Sequence, residues 1–193
     1  MRNGILAVSK NDEYYTPAYA ITPLIPYLEK FETIWCPFDT DKSYFVKLLR
    51  DAGHKVVNTH ISRGGNFFEL NLDCDAIVSN PPYSLKTEVL ERLFYLKKSF
   101  AMLLGIVGIF ESWRRFNLFR SNKFEVLYFD KRVQYYSQYD AETTDLCPPF
   151  SSAYVCHKIL PKQIEFAEIA KDMKSAKGVK NNNQISLFDG VTA

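Results

Sequence analysis

Short apolar runs rich in β-branched residues, each stopped by a turn signal, alternate along the chain with longer segments of helical period. The runs are Thr33-Ile-Trp-Cys-Pro-Phe38, Lys55-Val-Val-Asn58, Ala76-Ile-Val78, Phe100 to Val107, Phe124 to Phe129 and Ser152-Ala-Tyr-Val-Cys-His157, the last in order. Between them, helices are predicted from Pro17, from Tyr44 for about ten residues (Tyr44, Phe45, Leu48 and Leu49 apolar, closed by Gly53), over about 85–97 and over about 111–119. Thr16 is placed to cap the first helix with Pro17 at its first position, and Ser84 to cap the third. Strands alternating with helices imply an α/β fold with a mostly parallel, doubly wound sheet and helices on both faces.

The run at 76–78 ends at Ser79-Asn80-Pro81-Pro82-Tyr83, so Asn80 lies at the carboxyl end of a buried strand, where open α/β sheets bind ligands. Two prolines fix the backbone and remove two N–H donors, leaving a stiff turn that offers carbonyl acceptors and the Asn80 amide. Such a turn suits an –NH2 group. The Asn80 side-chain oxygen and the Pro81 carbonyl can each accept one amine hydrogen, and Tyr83 can stack on the ring that carries the amine. Held in this way, the nitrogen is drawn toward tetrahedral geometry with its lone pair aimed outward.

Asn80-Pro81-Pro82-Tyr83 after an apolar strand resembles the signature of the S-adenosylmethionine-dependent amino-methyltransferases, in particular the adenine-N6 DNA methyltransferases. The resemblance extends over about residues 14–160. It implies a Rossmann-like methyltransferase fold whose seven-stranded sheet ends in an antiparallel hairpin. S-adenosylmethionine is the implied cofactor, and DNA the implied partner. Tyr14-Tyr15-Thr16-Pro17 resembles the family's N-terminal motif, which places Thr16 and the helix start at the methionine carboxylate. Pro37-Phe38 matches a Pro-Phe pair of the family's first strand, and the implied cofactor contacts there are Cys36, Pro37, Phe38, Asp39 and Ser43. The glycines usual in that loop are replaced by Asp, Thr and Ser, an expected departure in how the cofactor is approached. At the end of the second strand Asn58, Thr59 and His60 stand where an acidic residue usually holds the ribose. Asn66-Phe67-Phe68 resembles the Asp-Phe-Phe segment at the cofactor's adenine, with Asn66 and Phe67 in the contacting positions. An aromatic after the penultimate strand packs on the target base in the family, which points to Tyr135, then Tyr136, as the ring facing Tyr83.

Charge adds a direction. The net charge is only +2, but residues 85–132 hold ten basic side chains against five acidic ones, among them Lys86 and Arg132, and suit a polyanion. The segment Lys131 to Asp140 interleaves basic and aromatic residues, as nucleic-acid platforms do. At 193 residues and 47% hydrophobic content the chain holds one such domain, read as 14–169, between a flexible leader (1–13) and a flexible tail (170–193). The tail contains Gln184-Ile185-Ser-Leu187-Phe188, similar to the short peptides by which bacterial proteins bind the DNA polymerase sliding clamp. No apolar run reaches eighteen residues and the N-terminus lacks a signal core, so a cytoplasmic protein is expected. Four cysteines without C-x-x-C spacing and three scattered histidines suggest no metal site.

Three alternatives share the signature, because it recognises a planar nitrogen rather than DNA. They are an RNA adenine or guanine methyltransferase, an enzyme acting on a glutamine amide, and a catalytically weak or inactive protein that keeps the fold and the clamp peptide.

Overall fold

The computed structural model describes residues 14–139, 144 and 146–169. The leader, the tail and the Gln184 to Phe188 peptide lie outside the described residues. Seven strands form one sheet: β1 Thr33–Cys36, β2 Lys55–Asn58, β3 Ala76–Ser79, β4 Ser99–Gly105, β5 Glu125–Phe129, β6 Ser152–His157 and β7 Ile164–Ala167, in the spatial order β2-β1-β3-β4-β6-β5-β7. β2, β1, β3 and β4 run parallel, β6 is antiparallel to both β4 and β5, and β7 is parallel to β5. The fold is α/β and Rossmann-like, with a mostly parallel sheet.

Alternation along the strands sorts the core into two layers. One face of the sheet, through Ile34, Cys36, Ala76, Val78, Ala101 and Leu103, packs on Tyr19, Leu24 and Leu28 and on Phe45, Val46 and Leu49 of helix α2 (Tyr44–Asp51). The other, through Trp35, Ile77, Phe100, Met102 and Leu104, packs on Val89, Leu90, Leu93 and Phe94 of helix α3 (Lys86–Leu96), and on Phe119 of helix α4 (Trp113–Ser121). Central strands are covered on both sides, which is why they read as continuous apolar runs.

Three expectations are corrected. The sheet does not end with β6: β7 adds at the edge beside β5, parallel to it, so the antiparallel β5–β6 pair lies inside the sheet. Thr16 does not cap the first helix. Pro17 stands at that position with extended backbone, and helix α1 is one turn, Ala18–Ile21, before a 3₁₀ segment Thr22–Leu28 takes over. Pro23 and Pro26 supply no N–H, so a longer α-helix loses its hydrogen bonds there. Ser84 sits inside a 3₁₀ turn, Tyr83–Leu85, and α3 starts one residue after it. Ser43, which the sequence pointed to only as a cofactor contact, caps α2, its Oγ accepting from the Phe45 N–H.

The chain reverses direction across the sheet between β1 and β3, since β2 lies outside β1 and β4 outside β3. The amino end of this pair is fastened by Asp75, whose carboxylate accepts from the Glu32 and Thr33 N–H groups at 3.0 and 2.8 Å. Asp75→Ala leaves both donors to solvent and is expected to cost about 1 kcal/mol, read as a lower urea midpoint at unchanged slope. Among the described residues, no helix is long and apolar enough to cross a membrane.

Candidate active site

The carboxyl ends of β1 and β3 meet at the reversal, where doubly wound sheets bind ligands. They are tied together by Asp39, which is buried and accepts hydrogen bonds from the Ser43 and Ser79 hydroxyls. Burial pushes the Asp39 carboxyl up to about 6, against the two hydroxyl bonds, which pull it down. This is how the loop after β1 holds its shape without glycines. Asp39 and Ser43, expected to face a cofactor directly, are turned inward and serve as its support. Cys36 is likewise buried, in the sheet, and Pro37 follows it into the loop.

Asn80 follows β3, and its Nδ2 donates to the Tyr14 carbonyl at 2.8 Å. A carbonyl only accepts, so this bond fixes which end of the amide is which. The Asn80 Oδ1 is buried and has no hydrogen-bond partner; Thr16 Oγ1 is a second buried oxygen in the same condition. Pro81 and Pro82 come next and offer no N–H, as the sequence requires. Tyr83 then places its ring between the two core layers and its hydroxyl 2.7 Å from that of Tyr135. Tyr135 donates in turn to Ser152 Oγ at 2.8 Å. Burial pushes both phenols well up from the ordinary tyrosine range, so both keep their protons at neutral pH.

Around Tyr83 the chain assembles an aromatic enclosure that the sequence shows only in pieces. Tyr15 and Tyr136 exchange two backbone hydrogen bonds, and Tyr135 and Leu146 exchange two more, drawing the N-terminal segment and the loop between β5 and β6 over the same corner. Tyr14 stacks on Tyr83, with centroids 5.3 Å apart and planes 25° apart. Tyr135 and Phe150 both meet Tyr83 edge-on, at 6.5 and 5.4 Å. Tyr135 is therefore a fully buried edge wall, and the ring lying on the face of Tyr83 is Tyr14. The geometry follows from the Tyr83–Tyr135–Ser152 hydroxyl chain, which holds the Tyr135 ring at 82° to Tyr83. Sequence reasoning missed Tyr14 as part of this enclosure, whereas Phe150 closes the Cys147-Pro-Pro-Phe150 stretch of the loop between β5 and β6, which the sequence places on the substrate side. Phe150 had a signal, in that Gly105 of β4 is where its ring lands: a Cβ there stands 2.9 Å from it.

The remaining predicted residues divide. Tyr15 also packs its ring on Tyr139, and Tyr136 packs on Tyr44. Asn66 Oδ1 accepts from the Phe68 N–H and so closes its own turn, and Phe67 is core, enclosed by Trp35, Phe38 and Phe68. Asn58 is held by Arg50 and donates to the Asp39 carbonyl. His60 Nδ1 accepts from the Ser62 N–H at the start of a short 3₁₀ turn. Arg132 is exposed, while Lys86 donates to the Val107 carbonyl and is pushed down by burial and by Arg115. The basic excess on α4 is partly spent inside the fold. Arg114 pairs with Glu88 and Glu91, and Arg115 donates to Thr87 and to the Gly108 and Ile109 carbonyls.

No protein-family model and no curated protein matches the sequence. Among solved structures, the chain is similar to a modification subunit of a putative type I restriction enzyme from Vibrio vulnificus YJ016, with a TM-score of 0.53 and 10% sequence identity. The match covers 87% of this chain and 50% of that one, so the chain spans half the length of its structural neighbour. At that identity the likeness is one of fold, and it extends over nearly the whole described domain.

Proposed function

We propose that the protein transfers a methyl group from S-adenosylmethionine to the exocyclic N6 amine of adenine in DNA, with relaxed or short sequence specificity. The observation that carries this reading is the buried, unpartnered Asn80 Oδ1 at a turn stripped of donors. A buried carbonyl oxygen left without a donor costs about 1–3 kcal/mol, and an –NH2 group supplies what it lacks. Asn80 Oδ1 and the Pro81 carbonyl accept the two amine hydrogens, Tyr83 takes the ring, and the nitrogen lone pair is left pointing out of the corner. Since Tyr83 and Tyr135 stay protonated, neither acts as a base; their work is to bind and to exclude water.

The residues present fit the cofactor. Thr16 Oγ1 is an unpartnered buried hydroxyl of the kind a carboxylate would accept from, and Tyr15, Thr16 and Pro17 would hold the amino-acid end. With α1 only one turn long, that contact rests on the hydroxyl rather than on a helix dipole. Phe38, His60 and Asn66 would hold the nucleoside end, on the loop braced by Asp39. When bound, the cofactor supplies a methyl group already activated on a sulfonium. The braced loop speaks against an inert relic, since two hydroxyls and a buried carboxylate keep the carboxyl ends of β1 and β3 in register.

A nucleic acid is favoured as substrate by exposed basic residues of the 85–132 segment, Arg120, Lys123 and Arg132 among them, and the proposal takes that nucleic acid to be DNA. A duplex target has to leave the stack to reach Asn80. Gln184, Ile185, Leu187 and Phe188 are given to the sliding clamp, as a localising partner. Tritiated methyl transfer offered in parallel to DNA, RNA and protein tests it. Label is expected in DNA; label confined to RNA or to protein glutamine overturns the substrate, and none in any of them overturns the enzyme.

A further inference from the structure

Tyr14 lies where the substrate ring belongs. Its ring stacks on Tyr83, meets Tyr135 edge-on at 5.3 Å and Phe150 edge-on at 6.4 Å, so three aromatic side chains receive it as they would a planar base. Its backbone carbonyl, meanwhile, takes the Asn80 Nδ2 and leaves Oδ1 facing inward without a donor. The ring satisfies the stacking half of the site and leaves the hydrogen-bonding half empty. An aromatic substrate that also bears an amine can satisfy both.

We propose that Tyr14 is a built-in competitor for the substrate ring, which the target must displace from Tyr83 before its amine reaches Asn80. This rests on the reading of Asn80 and Tyr83 as the amine site. The consequence is selectivity for a polymer. A free nucleoside brings only its ring and amine to the exchange, whereas a nucleic acid adds phosphate contacts outside the corner and tolerates the displacement. Tyr14 thereby sets which adenines are substrates, by a side chain that takes no part in the chemistry. The orientation of Asn80 is unaffected by the ring's departure, because it depends on the Tyr14 carbonyl, which any residue at 14 retains.

The test measures binding of 2′-deoxyadenosine, adenosine and N-acetylglutaminamide to the full chain by NMR titration, together with methyl transfer to the same three. Tyr14→Ala is expected to bind the adenine nucleosides about tenfold more tightly than the wild type and to lower KM in proportion, with kcat little changed. Tyr14→Phe, which restores the ring, is expected to return both to the wild-type values. In the wild-type protein labelled with 3-fluorotyrosine, the Tyr14 signal, assigned by its loss in Tyr14→Phe, is expected to move to the position of an exposed tyrosine when a DNA oligonucleotide saturates the site. That last measurement does not depend on Tyr14→Ala being stable, since only the conservative Tyr14→Phe is needed for the assignment. A folded Tyr14→Ala that binds none of the three more tightly, or a Tyr14 signal that stays in place while oligonucleotide is bound, makes Tyr14 a fixed wall and overturns the proposal. A gain confined to the glutamine amide leaves the competitor standing and removes adenine as the substrate.

Discussion

Replacing Asn80 with alanine is expected to lower methyl transfer about 100-fold while leaving stability within about 1 kcal/mol of the wild type. The two halves of that result come from the two ends of one amide. Its Nδ2 donates to the Tyr14 carbonyl, a bond worth about 1 kcal/mol net. Its Oδ1 is buried without a partner and costs about as much or more, so deleting both ends cancels or slightly stabilises. Buried polar residues with full hydrogen bonding behave in the opposite way, losing stability on truncation. In the proposed reaction the balance is one-sided, because the oxygen that is a liability in the resting fold would be the acceptor that orients the amine, and misorientation of a weak nucleophile is costly. Urea unfolding and labelled methyl transfer on the same preparation separate the two. Activity surviving in Asn80→Ala, or lost together with several kcal/mol of stability, would reduce Asn80 to a packing residue.

How much of this was readable in the chain depends on how local the cause is. β2 and β6 begin and end where the sequence placed them, and β3 delivers Asn80 to the switch point as read, because apolar runs and prolines act within a few residues of themselves. β7 escaped notice for the opposite reason. Ile164 and Phe166 are exposed and the strand is four residues long, so neither burial nor length marks it, and it exists because the edge of β5 offers backbone partners. The first helix shows a local signal overruled by another: Thr16-Pro17 looks like a start, but Pro23 and Pro26 leave one α-turn behind it.

The site divides in the same way. Asn80, Pro81 and Tyr83 are legible because their chemistry is in their own covalent structure. Asp39 and Ser43 were read as small polar residues facing a ligand, whereas the third member of their cluster, Ser79, belongs to another strand and no spacing announces it. Tyr14 passed as the first letter of a helix-start motif. Only the antiparallel contacts of Tyr15 with Tyr136, and of Tyr135 with Leu146, bring its ring over Tyr83, and such pairings depend on the finished sheet.

Asp39→Asn is expected to stabilise the protein in a pH-dependent way, by about 2–3 kcal/mol at pH 7 and by little near pH 4. The carboxyl is held at about 6 in the fold by burial, against 3.8 for an ordinary aspartate. The folded chain thus binds this proton more tightly than the unfolded one. Stability from this group is complete below about 3.8, falls as pH rises through the interval to 6 and is level above it, where a buried charge has to be kept. The two-unit displacement corresponds to about 3 kcal/mol, and asparagine, which cannot ionise and still accepts from one serine, recovers most of it. Unfolding curves for both proteins between pH 4 and 8 check the claim: the difference should open between pH 4 and 6, and a constant offset would mean that the Asp39 charge carries no such cost. A charge retained at that expense needs a use, and the proposed cofactor would provide one, since its sulfonium is a cation that a carboxylate behind the loop would attract. The stabilised variant is therefore expected to bind S-adenosylmethionine about tenfold more weakly by calorimetry, gaining in fold what it loses in site.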